Sequence, residues 1–489
     1  MTVAHATLPT VTDVDPSTQA PGRSGAPALT ADDLVRLTGG RLIARSDRPI
    51  RGAAVDSRLV EPGQVFVALP GERVDGHAYV GDAIARGAAA VIVARPLADA
   101  TALGDVTVVR VADTLAALGS VAAGWRRRFD PLVVGITGSI AKTSTKEAVA
   151  AVLSSRFRTL RNEGNLNNEV GLPLTLMRLG PDHEAAVLEM GMYVAGEIAE
   201  LARIAKPRIG VVTAVQPVHL SRIGSLEAIE AAKGELLDAL PPDGAAILNA
   251  DDPVVRGMGA RSAARAMTYG FAEDADVGAE AVASAGLAGM RFTLRANGTR
   301  RAMAIPTLGR LSVHNALAAV AVGHAAGLST DEIATGLAAG WSAPHRIELI
   351  RLGTITLVDD TYNASPRSVV AALDLLAGLP GRRVAILGEM LELGEASDDG
   401  HRVVGEAAAR IVDWLVVVGR GAAGIAEGAV AGGLDRGRVL AVPDQDSALE
   451  AVAPRLRDGD VVLVKASRGI GLDLLVDGLR RELGGGSPR

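Results

Sequence analysis

The chain has 489 residues, 48% hydrophobic and 22% charged, with 57 Gly but only 5 Phe, 4 Tyr and 3 Trp. Single cores stop growing beyond roughly 250–300 residues, so two to four domains are expected, in an α/β protein built mostly from Ala, Val, Leu and Gly. A formal charge of −6 with scattered Lys and Arg argues against nucleic-acid binding or a membrane-surface role; the lack of Cys excludes disulfides and thiol chemistry and suits a reducing cytoplasm.

The opening, "MTVAHATLPTVTDVDPSTQAPGRSGAP", is rich in Pro, Ser and Thr without periodicity, which predicts a disordered tail over residues 1–27. It shows no basic segment followed by an apolar core, so no export signal is expected, and no apolar run nears the ~18 residues of a membrane span. From Leu29, "QVFVAL", "AAAVIV" and "VTVVRV" are strand-like and "AYVGDAIARGA" is helical. These make a small α/β domain over 28–128, ending near the basic "GWRRRFD".

A second domain, 129–343, alternates the apolar strands "LVVGI", "AAVLEM", "IGVVTAV" and "GAAILNA" with helical stretches, the pattern of βαβ units and a mostly parallel sheet. "MRFTLRANGTRRAMAI" alternates around Asn297-Gly298 and predicts a type I′ hairpin; "SVHNALAAVAVGHAAG" reads as a buried helix. The third α/β unit, 344–489, follows "WSAPHRIE" and places strands at "TITLVDD", "RRVAILGEM", "DWLVVVG" and "GDVVLVKAS". The Gly-rich end "LGGGSPR" predicts a frayed terminus.

"GITGSIAKTSTKE", Gly135 to Glu147, leads a strand into a helix whose apolar face is Ala148, Val149, Val152 and Leu153. Free backbone N–H groups and the positive end of a helix meet there, where an anion is favoured. Lys142 would face nucleotide phosphates, and the Thr143 hydroxyl would meet Mg2+. The plain Walker pattern fails, because Ile136 and Ala141 stand where it wants Gly. A tight strand-to-helix turn with a cap is therefore an open alternative.

Three further residues bear on the choice. In "SLEAIEAAKGELLDAL" Lys233 shares a helical face with Ile229, Leu236, Leu237 and Leu240, so its charge is snorkelling, paired or chemically altered. Glu189 ends a buried strand, where a carboxylate can hold Mg2+ or simply face solvent. His219, in "VVTAVQPVHL", also lies just beyond a strand and is either a ligand or structural.

Together these residues resemble the Mur ligases, whose phosphate loop places Gly seven and four residues before the Lys, here Gly135 and Gly138. The resemblance runs through "NEGNLNNEVGLPLTLMRLG", "LEMGMYVAGEIAELARIAKP", "AAKGEL", "ILNADDP", "VHNALAA", "VDDTYNASP" and "LGEMLELG", nearly all of Leu29 to Leu483. "AVDSRLVEPGQVFVALPGERVDGHAY" and "DDTYNASP" are most similar to members that add D-alanyl-D-alanine to UDP-N-acetylmuramoyl-tripeptide.

The resemblance implies a central P-loop-type ATPase domain with a mostly parallel sheet, between a small N-terminal α/β domain and a C-terminal Rossmann-like one. It implies that Gly135, Thr137, Gly138, Ser139, Ile140, Ala141, Lys142, Thr143 and Ser144 bind ATP, with Thr143 and Glu189 on one Mg2+. His219 and a carbamylated Lys233 would hold a second, making Lys142, His219 and Lys233 the catalytic group. Asn315 and Arg346 would contact the adenosine half, and Asp360, Tyr362 and Asn363 would close over the nucleotide. Asn165, Asn167 and Asn168 would face the muramoyl-peptide, and Ser57 and Arg58 the uridine diphosphate. A cytoplasmic, monomeric ATP-dependent ligase with an acyl-phosphate intermediate is implied.

Ala141, Ala214, Gln216, Leu311-Ser312 and Ser365 depart from the family pattern. Ala141 is expected at negative φ, leaving Gly138 to supply any left-handed conformation. Rival readings are a sister ligase adding another amino acid or peptide, a non-catalytic precursor-binding homologue, and a P-loop switch or transport ATPase. The last lacks its guanine or transporter signature.

Overall fold

The computed structural model describes residues 27–71, 74–97, 103–216 and 225–484. The expected tail up to residue 26, His219, and the last five residues of the Gly-rich end lie outside them. The described chain is mixed α/β and divides into two compact units. One runs to Asp276 and includes Ala318–Ile333; the other comprises Val277–Leu317 and continues from Ala334.

The first unit opens with a five-stranded sheet: β1 (Arg41–Ala44), β2 (Ala53–Ala54), β3 (Val65–Val67), β4 (Ala90–Val93) and β5 (Thr107–Arg110), in the order β1-β5-β4-β3-β2. β1 is antiparallel to β5 and the rest pair in parallel. β3 and β4 are buried throughout, as unbroken apolar runs between covering helices should be. Helix Thr114–Arg126 is capped by Asp113 and reaches the neighbouring layer through its last residues. Trp125 Nε1 donates to Leu179 O at 3.0 Å, and the buried Arg126 donates through Nε to Ala205 O, also at 3.0 Å. The basic "GWRRRFD" is thus a packed joint, since Arg126 satisfies the carboxyl end of helix Glu197–Ala205.

Six parallel strands follow in the same unit: β6 (Leu132–Thr137), β7 (Thr159–Arg161), β8 (Ala185–Glu189), β9 (Ile209–Val212), β10 (Ala245–Asn249) and β11 (Arg265–Gly270), ordered β11-β10-β9-β6-β8-β7. Ile136 pairs with Glu189 and Thr137 with Val212, so β6, β8 and β9 end side by side. Helix Lys142–Leu153 leaves β6 with Ala148, Val149, Val152 and Leu153 fully buried, the predicted face.

In the second unit β12 (Val277–Ser284), β13 (Met290–Ala296) and β14 (Thr299–Ile305) are antiparallel. Asn297 at φ 51° and Gly298 at φ 71° make the β13–β14 turn that the dipeptide predicts. Then come β15 (Glu348–Leu352), β16 (Ile355–Asp359), β17 (Arg383–Gly388), β18 (Trp414–Val418), β19 (Val439–Val442) and β20 (Val461–Lys465), ordered β15-β16-β20-β17-β18-β19. All pairs are parallel except β15–β16. Successive residues alternate between two apolar layers: Val358, Ala385, Leu387 and Leu463 enter one, and Leu357, Val384, Ile386 and Val462 the other. Both faces of the sheet are therefore covered, as in the expected Rossmann-like domain.

Candidate active site

The loop after β6 is held from the side by the segment after β9. Thr213 Oγ1 donates to Ile140 O at 2.6 Å, and Ser139 N donates to Ala214 O at 2.8 Å. Ser139 Oγ donates to Gln216 O at 3.1 Å and accepts from Gln216 N at 2.9 Å. Ala214 and Gln216 enter these bonds through backbone groups, which do not depend on their side chains. Thr137 Oγ1 donates to Met190 O at 2.9 Å, pinning the strand end.

Gly138 adopts φ +149°, and a Cβ there would stand 1.9 Å from Thr213 Oγ1; no other residue fits. Gly135 lies within β6, where a Cβ would come within 2.8 Å of the Leu236 side chain, so its contribution is close packing of helix Leu226–Asp238. Ala141 corrects the sequence expectation. It sits at φ 63°, ψ 2°, the left-handed N-cap of helix Lys142–Leu153, with no side-chain cap. The turn needs that conformation at this residue, which glycine adopts freely and which leaves Ala strained by about 1–2 kcal/mol. Lys142 Nζ turns back onto the Gly138 carbonyl at 2.8 Å. Ile140 takes part through its carbonyl and is 43% exposed, and Ser144 lies in the first turn of helix Lys142–Leu153. An uncapped helix start with a lysine is an anion-binding arrangement.

Beside the loop, Glu189 is buried and doubly engaged. Its Oε2 accepts from Thr143 Oγ1 at 2.8 Å and its Oε1 from Asn167 Nδ2 at 2.7 Å. Asn162, fully buried, holds the same residue by its backbone: its Oδ1 accepts from Glu189 N at 2.9 Å and its Nδ2 donates to Glu189 O at 3.1 Å. The hydroxyl of Thr143 and the Glu189 carboxylate are hard oxygen donors in contact, a donor set that suits Mg2+.

Lys233 is 4% exposed on helix Leu226–Asp238, where Ile229, Leu236 and Leu237 are buried as well, and Leu240 is buried just beyond the helix end. Among the described residues no hydrogen bond or ion pair reaches its ammonium. Burial, and then the Lys142 charge, push it down to about 7. A lysine so poised is substantially neutral at physiological pH, and the neutral amine is the form that reacts with CO2.

Of the other predicted residues in this unit, Asn168 Oδ1 accepts from Gly171 N at 2.9 Å and shapes the turn into helix Gly171–Leu176. Asn165 is exposed. Ser57 is buried at the start of a short helical turn; Arg58 donates to Asp56, which that charge holds below the usual carboxylate range.

In the second unit the predicted residues gather after β16. The Arg346 guanidinium lies 3.8 Å from the Tyr362 ring centroid and Arg468 lies 5.3 Å from it. Asp360 Oδ2 is 2.7 Å from Lys465 Nζ, which also donates to Asn363 O at 2.8 Å. Burial pushes the Asp360 carboxyl up, and Lys465 partly offsets it. His345 Nδ1 stands 2.8 Å from Asp359 Oδ2, which raises the imidazole above its ordinary value. His345, Glu348 and Asp359 could meet one metal ion, but Asp359 already accepts from Thr361 and Glu348 from Arg480. Asn315 is buried on helix Arg310–Ala325.

Asn162, Thr213, Lys146 and Lys465 were missed by sequence reasoning. Only Lys146 carried a signal: with Val149 and Leu153 it repeats the anomaly of Lys233, a charge within an apolar stripe.

Three family profiles match in chain order: "Mur ligase family, catalytic domain" over residues 49–126, "Mur ligase middle domain" over 136–323, and "Mur ligase, glutamate ligase domain" over 345–468. The UDP-N-acetylmuramoyl-tripeptide--D-alanyl-D-alanine ligase of Bacillus subtilis is 36% identical over 434 residues, spanning 88% of this chain and 93% of the relative. The ligase of the same name from Mycobacterium tuberculosis is 38% identical over 497 residues, spanning 92% and 97%. Among solved structures, MurF from Acinetobacter baumannii superposes with TM-score 0.85 at 31% identity, over 94% of this chain and all of that one, 100%. MurF ligase from Thermotoga maritima in complex with ADP gives 0.76 at 28% identity, over 88% and 98%.

Proposed function

The chain belongs to the Mur ligase family, and we propose that within it the protein joins D-alanyl-D-alanine to UDP-N-acetylmuramoyl-tripeptide at the expense of ATP, releasing ADP and phosphate. The observation that carries the mechanism is the buried Thr143–Glu189 pair set beside an uncapped helix start that bears Lys142.

A carboxylate is a poor acylating agent, so the γ-phosphoryl of ATP passes first to the terminal carboxylate of the tripeptide, giving an acyl phosphate and ADP. The amine of D-alanyl-D-alanine then attacks the acyl carbon, phosphate leaves, and the amine loses its proton. The loop amides and Lys142 hold the phosphates in line and stabilise charge on the group in transfer. Thr143 and Glu189 would hold Mg2+, whose part is to neutralise phosphate charge. Lys233 as its carbamate, with His219, would offer oxygen and nitrogen donors for a second ion; the lowered pKa of Lys233 supports this. Arg346, Asn315, Asp360, Tyr362 and Asn363 are proposed for the nucleotide, Asn165, Asn167 and Asn168 for the muramoyl-peptide, and Ser57 and Arg58 for the uridine diphosphate.

On this reading the protein is a monomer working in the cytoplasm, with a tail over 1–27 and domains at 28–128, 129–343 and 344–489. Among the described residues no helix is long and apolar enough to cross a membrane. The test is phosphate release and product formation from ATP, a panel of UDP-muramoyl-tripeptides, and D-alanyl-D-alanine or single amino acids. Release that requires both a tripeptide precursor and the dipeptide is expected. Joining of single amino acids alone would replace this reading with a sister ligase, and nucleotide binding without turnover would replace it with a non-catalytic homologue.

A further inference from the structure

Lys146 is fully enclosed on helix Lys142–Leu153, one turn beyond Thr143, and the reaction as described gives it nothing to do. Its Nζ donates to the Asn162 carbonyl at 2.5 Å and lies 3.0 Å from Glu147 Oε1; the other Glu147 oxygen is 2.9 Å from Arg161 Nε. Replacing the whole Lys146–Glu147 pair by apolar residues of similar volume would fill this space with no charge to desolvate, and such replacements of buried ion pairs are often neutral or stabilising. Filling space therefore does not account for an ammonium here.

What the ammonium reaches is specific. Asn162 directly follows β7, the last strand at this side of the sheet, and its side-chain amide continues the ladder onto β8 where backbone pairing stops. It takes both the N–H and the carbonyl of Glu189, and Nδ2 also donates to Leu166 O at 2.9 Å. The contacts close into a ring: Thr143 to the Glu189 carboxylate, Glu189 backbone to the Asn162 side chain, Asn162 carbonyl to Lys146, and one helical turn back to Thr143. Every member is buried.

We propose that Lys146 is a positioning residue for the ligase reaction, acting through Asn162 to set where the Glu189 carboxylate stands relative to the Thr143 hydroxyl. This rests on the reading of Thr143 and Glu189 as the Mg2+-holding pair. Two oxygen donors form a small-cation site only at a fixed separation, and Mg2+ tolerates little departure from ideal geometry. The ring supplies that separation from behind the donors. The same ring ties the segment that carries Asn165, Asn167 and Asn168, the residues proposed for the muramoyl-peptide, to the carboxylate it adjoins.

Lys146→Met and Asn162→Ala in the full-length protein test this. Three quantities are read for each: thermal unfolding, ADP affinity without metal, and Mn2+ affinity of the ADP-bound protein by electron paramagnetic resonance. The expectation is a Mn2+ affinity lower by about 10-fold or more, a matching rise in the Mg2+ concentration for half-maximal ligation, and unchanged metal-free ADP affinity. A folded Lys146→Met protein that binds Mn2+ as the wild type does overturns the inference. If Lys146→Met fails to fold, the double variant Lys146→Met/Glu147→Leu, which removes both ion partners, decides by the same readout. A wild-type protein whose ADP complex takes up no Mn2+ would overturn the reading of the Thr143–Glu189 pair itself, a separate failure.

Discussion

Thr143 Oγ1 donates to Glu189 Oε2 at 2.8 Å, joining the first turn of the phosphate-loop helix to the carboxyl end of β8 at a carboxylate only 2% exposed. Glu189→Gln keeps the shape and removes the charge. Its amide can keep an oxygen toward Asn167 Nδ2 and donate to Thr143 Oγ1, which then accepts, so the loss of stability is expected to stay within about 1 kcal/mol. Ligation is expected to fall by about 100-fold or more at saturating Mg2+, because several kcal/mol of charge stabilisation are lost. Phosphate release and thermal unfolding measured side by side separate the two effects; near wild-type turnover would remove Glu189 from this role.

Ala141 holds φ 63° where its methyl group is disfavoured. Ala141→Gly relieves about 1–2 kcal/mol of strain and loosens the unfolded chain by about 0.4–1 kcal/mol, so a small net gain in stability is expected, read as a higher unfolding temperature. Ala141→Val, β-branched at the same φ, is expected to lower it and to weaken ADP binding. Equal stability of all three proteins would show that the turn is not strained.

Lys233 has its pKa lowered from 10.5 to about 7. The unfolded chain then binds more protons than the folded one between these values, so this residue makes stability rise with pH across that window. In CO2-free buffer, Lys233→Met is expected to flatten the slope of unfolding free energy against pH there. With 13C-labelled bicarbonate the wild type is expected to show a carbamate carbon resonance that Lys233→Met lacks. Its absence from an active wild type would refute carbamylation.

Lys465, 3% exposed, is the ion partner of Asp360, whose carboxyl burial already pushes up. Lys465→Met removes the ion partner of that carboxylate and leaves the weaker pull of the Arg346 charge, at a cost of about 3–5 kcal/mol near neutral pH. A raised carboxyl pKa means the folded state holds the proton longer, so stability falls as pH rises through it. Urea unfolding at pH 5 and pH 8 is expected to show the larger loss at pH 8. A loss independent of pH would point to packing alone.

The elements that were legible share one property: their signal is local and repeated. The apolar face of the loop helix, the Asn297-Gly298 turn and the buried strands of both parallel sheets each announce themselves within a few residues. β2, with two residues, and β7, with three, are too short for any period to show. Asn162 is a single polar residue whose partner lies 27 positions away, so nothing near it in sequence marks it out. Ala141 misled for a related reason. Alanine before a helix favours the right-handed region, and only the ties of Thr213 and Ala214 to the loop impose the other.

The sequence by itself determined the α/β class, the strand-to-helix phosphate loop with Lys142 and Thr143, and the anomaly of Lys233 in an apolar stripe, because these depend on neighbours within one or two helical turns. Tertiary structure decided what those residues touch: that Glu189 meets Thr143, that Asn162 and Lys146 stand behind it, and that Ala141 takes a left-handed turn. Parallel pairing sets distant strand ends side by side, and a carboxylate's role follows from which ends those are.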